Sequence, residues 1–152
     1  MVTRNDILAE ARGWIGTPYR HQASCRGAGA DCLGLVRGVW RALYGAEPEP
    51  LPPYTRDWAE AGAGETLLSA ARRHMREVAP ERAGPGDLLL FRWRDGAPVK
   101  HAGLLGTVFA ERCPSFIHAY EGVSVTESPL IAPWRRRIAA AFLFPGIDPW
   151  QP

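Results

Sequence analysis

The sequence predicts a mixed α+β fold, in which N-terminal helices pack on an antiparallel β-sheet. Up to about residue 76, apolar residues recur mainly at helical spacing. After Gly84-Pro85-Gly86 the pattern changes to short apolar runs bounded by turn residues, which is typical of strands. Helices followed by strands indicate the α+β class.

Length and composition predict a single folded domain covering residues 1–152. The chain has 46% hydrophobic and 22% charged residues, close to the average of globular proteins. A chain of 152 residues can bury a core without disulfides or metals. No internal repeat interrupts it, so we expect one domain.

The charge pattern and the N-terminus exclude some function classes. The net charge is +2 and Lys100 is the only lysine, which does not indicate binding to nucleic acid. The first residues lead into a helical pattern without an apolar leader, and no apolar run could span a bilayer. We therefore expect synthesis in the cytoplasm without a signal peptide and no membrane span.

The first predicted element is a helix over residues 5–14. Ile7, Leu8, Ala11 and Trp14 share one face, and either Thr3 or Asn5 can cap it. Residues 17–29 then form a polar, glycine-containing loop that is too irregular for a regular element.

A second helix is predicted over residues 32–44, with Asp31 as its N-cap and Gly45 as its stop. Prolines in residues 47–54 favour an extended connection across the surface. A surface helix with solvated arginines is predicted over residues 65–76.

The second half of the chain predicts five strands. Asp95-Gly96 is a hairpin signal between the first two of them, and Gly122 and Pro133 mark later turns. The predicted strands are residues 87–93, 99–105, 116–120, 123–127 and 138–144.

Cys32 is a candidate nucleophile because it lies at the predicted start of a helix. Unpaired backbone N–H groups and the helix dipole favour an anion there, so we expect a lowered thiol pKa. A thiol nucleophile also needs a base and a group that orients the base. His101 and His118 can fill these roles if antiparallel pairing places them side by side on the face against the Cys32 helix.

Each of these residues also has an ordinary structural interpretation. Cysteine on an amphipathic helix is usually a small buried apolar residue, and histidine in a strand is usually hydrogen-bonded. The three cysteines, Cys25, Cys32 and Cys113, do not predict a disulfide framework, because their number is odd. Zinc bound by Cys25, Cys32, His101 and His118 is not expected, since no Cys-x-x-Cys spacing is present. We expect no metal and no cofactor.

Five local motifs, taken together, resemble the ordered motifs of the NlpC family of papain-like cell-wall cysteine peptidases. The resemblance extends over roughly residues 8–144. The motifs are Gly16-Thr17-Pro18-Tyr19, Asp31-Cys32-Leu33-Gly34-Leu35-Val36, Pro85-Gly86-Asp87-Leu88, His101-Ala102-Gly103 and Phe116-Ile117-His118-Ala119.

The resemblance implies a role for each matching residue. Cys32 corresponds to the nucleophile, His101 to its base and His118 to the residue that orients the base. Tyr19 corresponds to a tyrosine beside the nucleophile and Asp31 to an aspartate that helps to hold substrate, although Asp31 can also cap the helix. The implied partner is a peptidoglycan stem peptide, and the implied cleavage is between γ-linked D-Glu and the diamino acid.

Within the family, the chain is most similar to peptidases of phage tails and gene transfer agents. This similarity rests on Gly16 to Gln22, on the Asp-Cys-Leu-Gly-Leu-Val form and on residues 54–58. It implies tail or baseplate proteins as partners and delivery to the periplasm and cell wall. Leu33 stands where many cell-wall members carry serine, so the stem-peptide specificity stays open.

Two rival functions remain at this point. The chain could be a structural or peptidoglycan-binding tail component that retains the peptidase fold. Arg135-Arg136-Arg137 and the proline segment would then be contact surfaces, although a solvated arginine edge is the simpler interpretation. The same three residues could also serve amidase or acyl-transfer chemistry.

Overall fold

The computed structural model describes residues 1–50, 65–108, 111 and 113–152. Residues 54–58, used in the comparison with phage-type peptidases, lie outside the described residues. The described elements are α1 (Arg4–Gly13), β1 (Ser24–Cys25), β2 (Gly29–Ala30), α2 (Cys32–Tyr44), α3 (Thr66–His74), β3 (Arg76–Val78), a 3-10 turn (Pro80–Arg82), β4 (Leu88–Phe91), β5 (His101–Leu105), β6 (Ser115–Tyr120), β7 (Val123–Pro129), α4 (Ala132–Arg135) and β8 (Ile138–Leu143).

Six strands of the described chain form one antiparallel sheet in the order β3-β8-β4-β5-β6-β7. Strands β4 and β5 are joined by the predicted hairpin turn, where Gly96 has a φ of 77°. This left-handed conformation carries no steric penalty for glycine. Helices and an antiparallel sheet together confirm the predicted α+β fold.

Apolar side chains cover both faces of the sheet. One face packs against α1, α2 and α3 through residues such as Leu35, Val39 and Leu104. The opposite face carries a smaller cluster that includes Phe91 and Phe116. Because side chains alternate along a strand, neighbouring residues of β5 and β6 belong to different clusters.

The caps of the two long helices explain where they begin. Thr3 caps α1 in a capping box, in which its hydroxyl and the Asp6 carboxylate each accept a backbone N–H from the other residue. Helix α2 has the predicted bounds, begins after the Asp31 cap and stops at Gly45, whose φ is 87°.

Some elements were not predicted. The loop between residues 17 and 29 leads into a small hairpin of β1 and β2, whose two-residue strands are too short to give a periodic signal. The third helix ends at His74, because Met75 is extended and leads into β3. This edge strand has the polar sequence Arg-Glu-Val, and α4 is a single turn, so neither has an apolar pattern.

The Pro85-Gly86-Asp87 motif ties the helical layer to the sheet. Arg4 of α1 donates hydrogen bonds to the Asp87 carboxylate at 2.8 Å and to the Pro85 carbonyl at 2.9 Å. The same guanidinium donates to the Asp148 carbonyl at 2.7 Å. Among the described residues, no helix has both the length and the hydrophobicity needed to cross a bilayer.

Candidate active site

Cys32 is the first residue of α2 and is half-buried. Asp31 caps the helix, since its Oδ1 accepts the Gly34 N–H at 2.7 Å. The backbone N–H groups of Cys32, Leu33 and Ala102 are directed at the thiol. The sulfur therefore lies between the start of α2 and β5, where three backbone donors are directed at it.

The expected lowering of the Cys32 pKa is nevertheless wrong for the resting site. Burial, together with the negative charge of Asp31, raises the pKa of the thiol to about 12. The three N–H groups act in the opposite direction but are outweighed. Cys32 therefore rests as a neutral thiol and must lose its proton during the reaction.

The Asp-Cys-x-Gly motif holds the preceding loop against the first turn of α2. Asp31 Oδ2 accepts the Gln22 N–H at 2.7 Å, and the Ser24 hydroxyl donates to the Gly34 carbonyl at 2.6 Å. A side chain at Gly34 would overlap the carbonyl oxygen of Ala23. Glycine is thus required for the loop to approach the helix.

His101 and His118 are side by side, as predicted, and each is about 3–4% exposed. His101 Nε2 and His118 Nδ1 are 2.9 Å apart. His118 Nε2 lies 3.1 Å from the Ser128 hydroxyl oxygen on β7. The three side chains form one continuous chain of hydrogen bonds.

The histidines do not lie on the sheet face against the Cys32 helix, so this part of the prediction is wrong. Ala102 and Leu104 of β5 belong to the helix-facing cluster, whereas the histidine rings contact Phe91 and Phe116 on the other face. His101 and Ala102 point to opposite faces because successive side chains alternate along a pleated strand. His101 can still face the thiol because it is the first residue of β5, at the rim of the sheet.

Gly103 of the His-Ala-Gly motif makes room for the second histidine. A Cβ at this position would lie 2.9 Å from Phe116 Cδ2 and 3.3 Å from His118 Cβ. Contacts closer than about 3.5 Å between carbon atoms are repulsive. The absent side chain therefore allows β6 to bring His118 within hydrogen-bond distance of His101.

Both imidazoles are neutral in the resting site. Burial, reinforced by the neighbouring His118, lowers the pKa of His101 to about 3. Burial also lowers the pKa of His118 to about 4. Since Nε2 of His101 is bound to His118, its Nδ1 is the nitrogen available to accept a proton from Cys32.

Aromatic side chains surround the histidine pair. Trp93 stacks on His101 with ring centroids 5.5 Å apart, and Trp134 of α4 lies 5.5 Å from His101 and 5.2 Å from His118. Neither tryptophan was predicted as a site residue, because Trp93 ends a predicted strand without belonging to any of the five motifs and Trp134 lies outside the predicted strands. Ser128 was missed as well, although alternation along β7 could have placed it on the histidine side.

Cys32 and His101 line the same open cleft, whose volume is about 400 Å³. Tyr19, predicted to lie beside the nucleophile, lines it as well. The cleft residues are Tyr19, Cys32, Trp93, Lys100, His101, Ala119, Tyr120 and Glu121.

Two backbone connections fix the segment that carries Tyr19. Gly16 N–H donates to Val125 O at 2.8 Å, and Val125 N–H donates to Thr17 O at 2.9 Å, which joins this segment to β7. Tyr19 also forms a parallel bridge with Ala30. Its predicted contact with substrate stays a prediction, as does that of Asp31, whose carboxylate is 3% exposed.

The other two cysteines are exposed, and all three thiols are free. Cys25 lies in β1, on the loop before α2. Among the residues that the structure describes, no three metal-binding side chains converge.

The model of the NlpC/P60 family matches residues 16–141, which include all five predicted site residues. This chain belongs to the NlpC/P60 family. The family comprises cysteine peptidases and hydrolases that act on cell-wall peptidoglycan, so the predicted enzyme class is confirmed at this level.

One curated relative of this NlpC/P60 member is a gamma-DL-glutamyl hydrolase of Bacillus subtilis (strain 168). The two sequences are 31% identical over 99 residues, which cover 64% of this chain and 20% of the relative. This NlpC/P60 chain thus matches only about a fifth of the length of that protein.

Two solved structures share the fold. The NlpC/p60 domain of the peptidoglycan hydrolase SagA has a TM-score of 0.61 and 23% identity, over 94% of this chain and 100% of that one. An NlpC/P60 family protein from Bacillus cereus ATCC 10987 has a TM-score of 0.64 and 20% identity, over 93% of this chain and 40% of that one. The predicted NlpC fold of this family member is confirmed.

Proposed function

We propose that this protein is a peptidoglycan endopeptidase that cleaves stem peptides with Cys32 as nucleophile. The observation that carries the proposal is the shared cleft of Cys32 and His101, in which His101 is held by His118. The bond most consistent with the relatives joins γ-D-Glu to the diamino acid. The name of the Bacillus subtilis relative, a gamma-DL-glutamyl hydrolase, supports this choice.

The neutral resting site determines the order of proton transfers. His101 Nδ1 accepts the thiol proton as the Cys32 sulfur attacks the peptide carbonyl, which forms a tetrahedral oxyanion. Backbone N–H groups at the start of α2 can stabilise this oxyanion. The imidazolium then protonates the leaving amine, and water hydrolyses the acyl-enzyme.

Several contacts offset the cost of forming an imidazolium in a buried site. The thiolate and the imidazolium form together and attract each other, and bound substrate excludes water from the cleft. The Trp93 ring, stacked on His101, presents the negative face of its π-system to the cation. His118 Nδ1 lies 2.9 Å from His101 Nε2 and can accept the hydrogen bond that the imidazolium Nε2–H donates.

The nucleophile is tested by incubating the purified protein with murein sacculi and analysing the released peptides by mass spectrometry. Cys32→Ala and His101→Ala should lose cleavage, since one removes the nucleophile and the other removes the base. Cys25→Ala, at an exposed cysteine, should retain it. Cleavage by Cys32→Ala at the wild-type rate would contradict the proposal.

The same product analysis distinguishes the bond. Endopeptidase action leaves a new γ-D-Glu carboxyl terminus and a free amine on the diamino acid. Release of the intact stem peptide from muramic acid identifies an amidase instead, and a new amide formed with an added amine identifies acyl transfer. Binding to sacculi without any released peptide would favour a structural component.

We also propose that residues 1–152 act as one domain in the tail of a phage-like particle that delivers the enzyme to the cell wall. The Gly16 to Gln22 run and Leu33 in the nucleophile motif support this subgroup. Leu33 lines an apolar groove between α2 and α3. Immunodetection in purified particles tests the association, and absence from particles that retain their tails would contradict it.

A further inference from the structure

We propose that Ser128 is a positioning residue that holds the His101–His118 pair in the tautomer needed for proton transfer. The inference rests on the proposed function of Cys32 and His101 and extends it by a fourth side chain. Ser128 Oγ lies 3.1 Å from His118 Nε2, at the far end of the hydrogen-bond chain. Neither the motifs nor the family match single out this serine.

The geometry of β7 aims Ser128 at the histidine pair. Phe116 is the cross-strand partner of Ser128, and His118 is that of Thr126, so Ser128 is the diagonal neighbour of His118 on the same sheet face. Glu127 points to the opposite side, where Arg12 of α1 donates to it at 2.9 Å. Only alternate residues of β7 can therefore reach His118.

Two proton arrangements are possible along the hydrogen bonds that join His101, His118 and Ser128, and only one permits catalysis. In the first, His101 carries its proton on Nε2 and donates to His118 Nδ1, and His118 Nε2–H donates to Ser128. His101 Nδ1 is then free to accept the thiol proton. In the second, all donors are reversed, His101 Nδ1 carries the proton and the base is blocked.

Ser128 favours the first arrangement by accepting the His118 Nε2–H. Without this hydroxyl oxygen, the buried Nε2–H of His118 has no protein acceptor among the described contacts, and an unpaired buried donor is unfavourable. His118 then shifts its proton to Nδ1, which can donate to His101. The hydroxyl oxygen also supports His118 when His101 becomes positively charged.

The kinetic test compares three variants of Ser128 with one control variant on the same strand. Ser128→Ala and Ser128→Val should lower kcat about 10- to 100-fold with little change in KM, as expected for a residue that orients a catalytic histidine. Ser128→Thr keeps the hydroxyl with the shape of valine and should restore most of the rate. Ser124→Ala, on the same strand, is the control and should act like wild type.

A second measurement does not depend on activity. In the Cys32→Ala background, histidine ¹⁵N chemical shifts should show Nε2–H tautomers for His101 and His118, and Ser128→Val should shift His118 toward Nδ1–H. Because this signal exists without substrate, it separates failure of the inference from failure of the proposed function. If the wild-type protein does not cleave murein, only the proposed function is contradicted.

Two results would overturn the role of Ser128. One is a wild-type kcat in both Ser128→Ala and Ser128→Val. The other is a lowered kcat with unchanged histidine tautomers, which would show that the serine only supports the fold. Thermal unfolding of each variant verifies that the compared proteins are folded.

Discussion

At the scale of single residues, the site combines a thiol that is hard to ionise with a base that is hard to protonate. Burial raises the pKa of Cys32 to about 12 and lowers that of His101 to about 3. A permanent thiolate–imidazolium pair is therefore not the resting state. The hydrogen bonds between His101, His118 and Ser128 instead prepare the proton transfer that accompanies attack.

This protonation state predicts the reactivity of Cys32 toward iodoacetamide. The alkylation rate should rise about tenfold per pH unit between pH 6 and 9, because the thiolate fraction rises in that proportion below the pKa. Mass spectrometry of the Cys32 peptide measures it in a Cys25→Ser, Cys113→Ser background, since those two thiols are exposed. A rate independent of pH in this range would instead show a resting ion pair.

The buried imidazole of His118 predicts a loss of stability in acid. Its pKa is lowered from 6.5 to about 4, so the unfolded chain binds a proton in this range and the folded chain does not. The stability that depends on a neutral His118 is fully present above pH 6.5 and is lost as pH falls toward 4. Between pH 7.5 and 5, His118→Gln should lose about 2 kcal/mol less unfolding free energy than wild type.

Urea unfolding at the two pH values measures this difference. His74→Gln is the control, because it removes a histidine on α3, outside the cleft. An unchanged pH dependence in His118→Gln would show that folding does not lower the pKa of His118.

At the scale of elements, the start of α2 is defined by close contact between the helix and the loop before it. The side-chain oxygens of Asp31 bind backbone N–H groups of both, and Gly34 leaves space for the Ala23 carbonyl. The position of the nucleophile thus depends on residues that carry no chemistry themselves.

Gly34→Ala tests this dependence. Alanine favours a helix by about 1 kcal/mol over glycine, but here its Cβ would overlap a backbone carbonyl, and forced repacking costs about 1–3 kcal/mol. We expect lower stability and at least a tenfold loss of activity, measured by thermal unfolding and peptide release. Gly13→Ala is the control, because the atoms nearest to its Cβ are the terminal atoms of the long Arg26 side chain rather than backbone.

The sequence predicted these elements to the extent that local patterns determine them. The bounds of α2, its cap and its stop follow from Asp31, the apolar spacing and Gly45. Strand pairing and pleat are tertiary properties, so the sheet face of the histidines was predicted wrongly. Ser128 and Trp134 were missed because their roles depend on contacts with distant strands.

At the scale of the whole molecule, buried polar contacts join the helical layer, the sheet and the C-terminal segment. The Asp87 carboxylate is 1% exposed and binds Arg4 and the Gly84 N–H. Burial raises the pKa of Asp87 to about 6 in spite of both partners. The carboxylate thus depends on Arg4 to remain charged at neutral pH.

Arg4→Met should destabilise the protein by about 3–5 kcal/mol at pH 8, where Asp87 would be a buried charge without its partner. Because the pKa of Asp87 is raised to about 6, the protonated carboxyl favours the folded state at low pH, and this contribution of Asp87 is lost as pH rises through 6. At pH 5 the Asp87 of Arg4→Met is protonated and needs no ionic partner, so the loss of stability should be smaller there.

Urea unfolding at pH 5 and 8 measures both values. Arg12→Met is the matched control on α1, because its ion pair with Glu127 is exposed and is expected to contribute less than about 1 kcal/mol. Equal losses for the two variants at pH 8 would contradict a special role for the buried pair.

The sheet separates the hydrophobic cluster that supports the nucleophile from the cluster that supports the base. Cys32 is the first residue of α2 in the helical layer, whereas the His101 ring packs among Phe91, Trp93 and Trp134 on the far side. Loosening of either side of the sheet is enough to misalign the two groups. Activity should therefore disappear at lower denaturant concentrations than secondary structure does, which makes turnover an early reporter of partial unfolding.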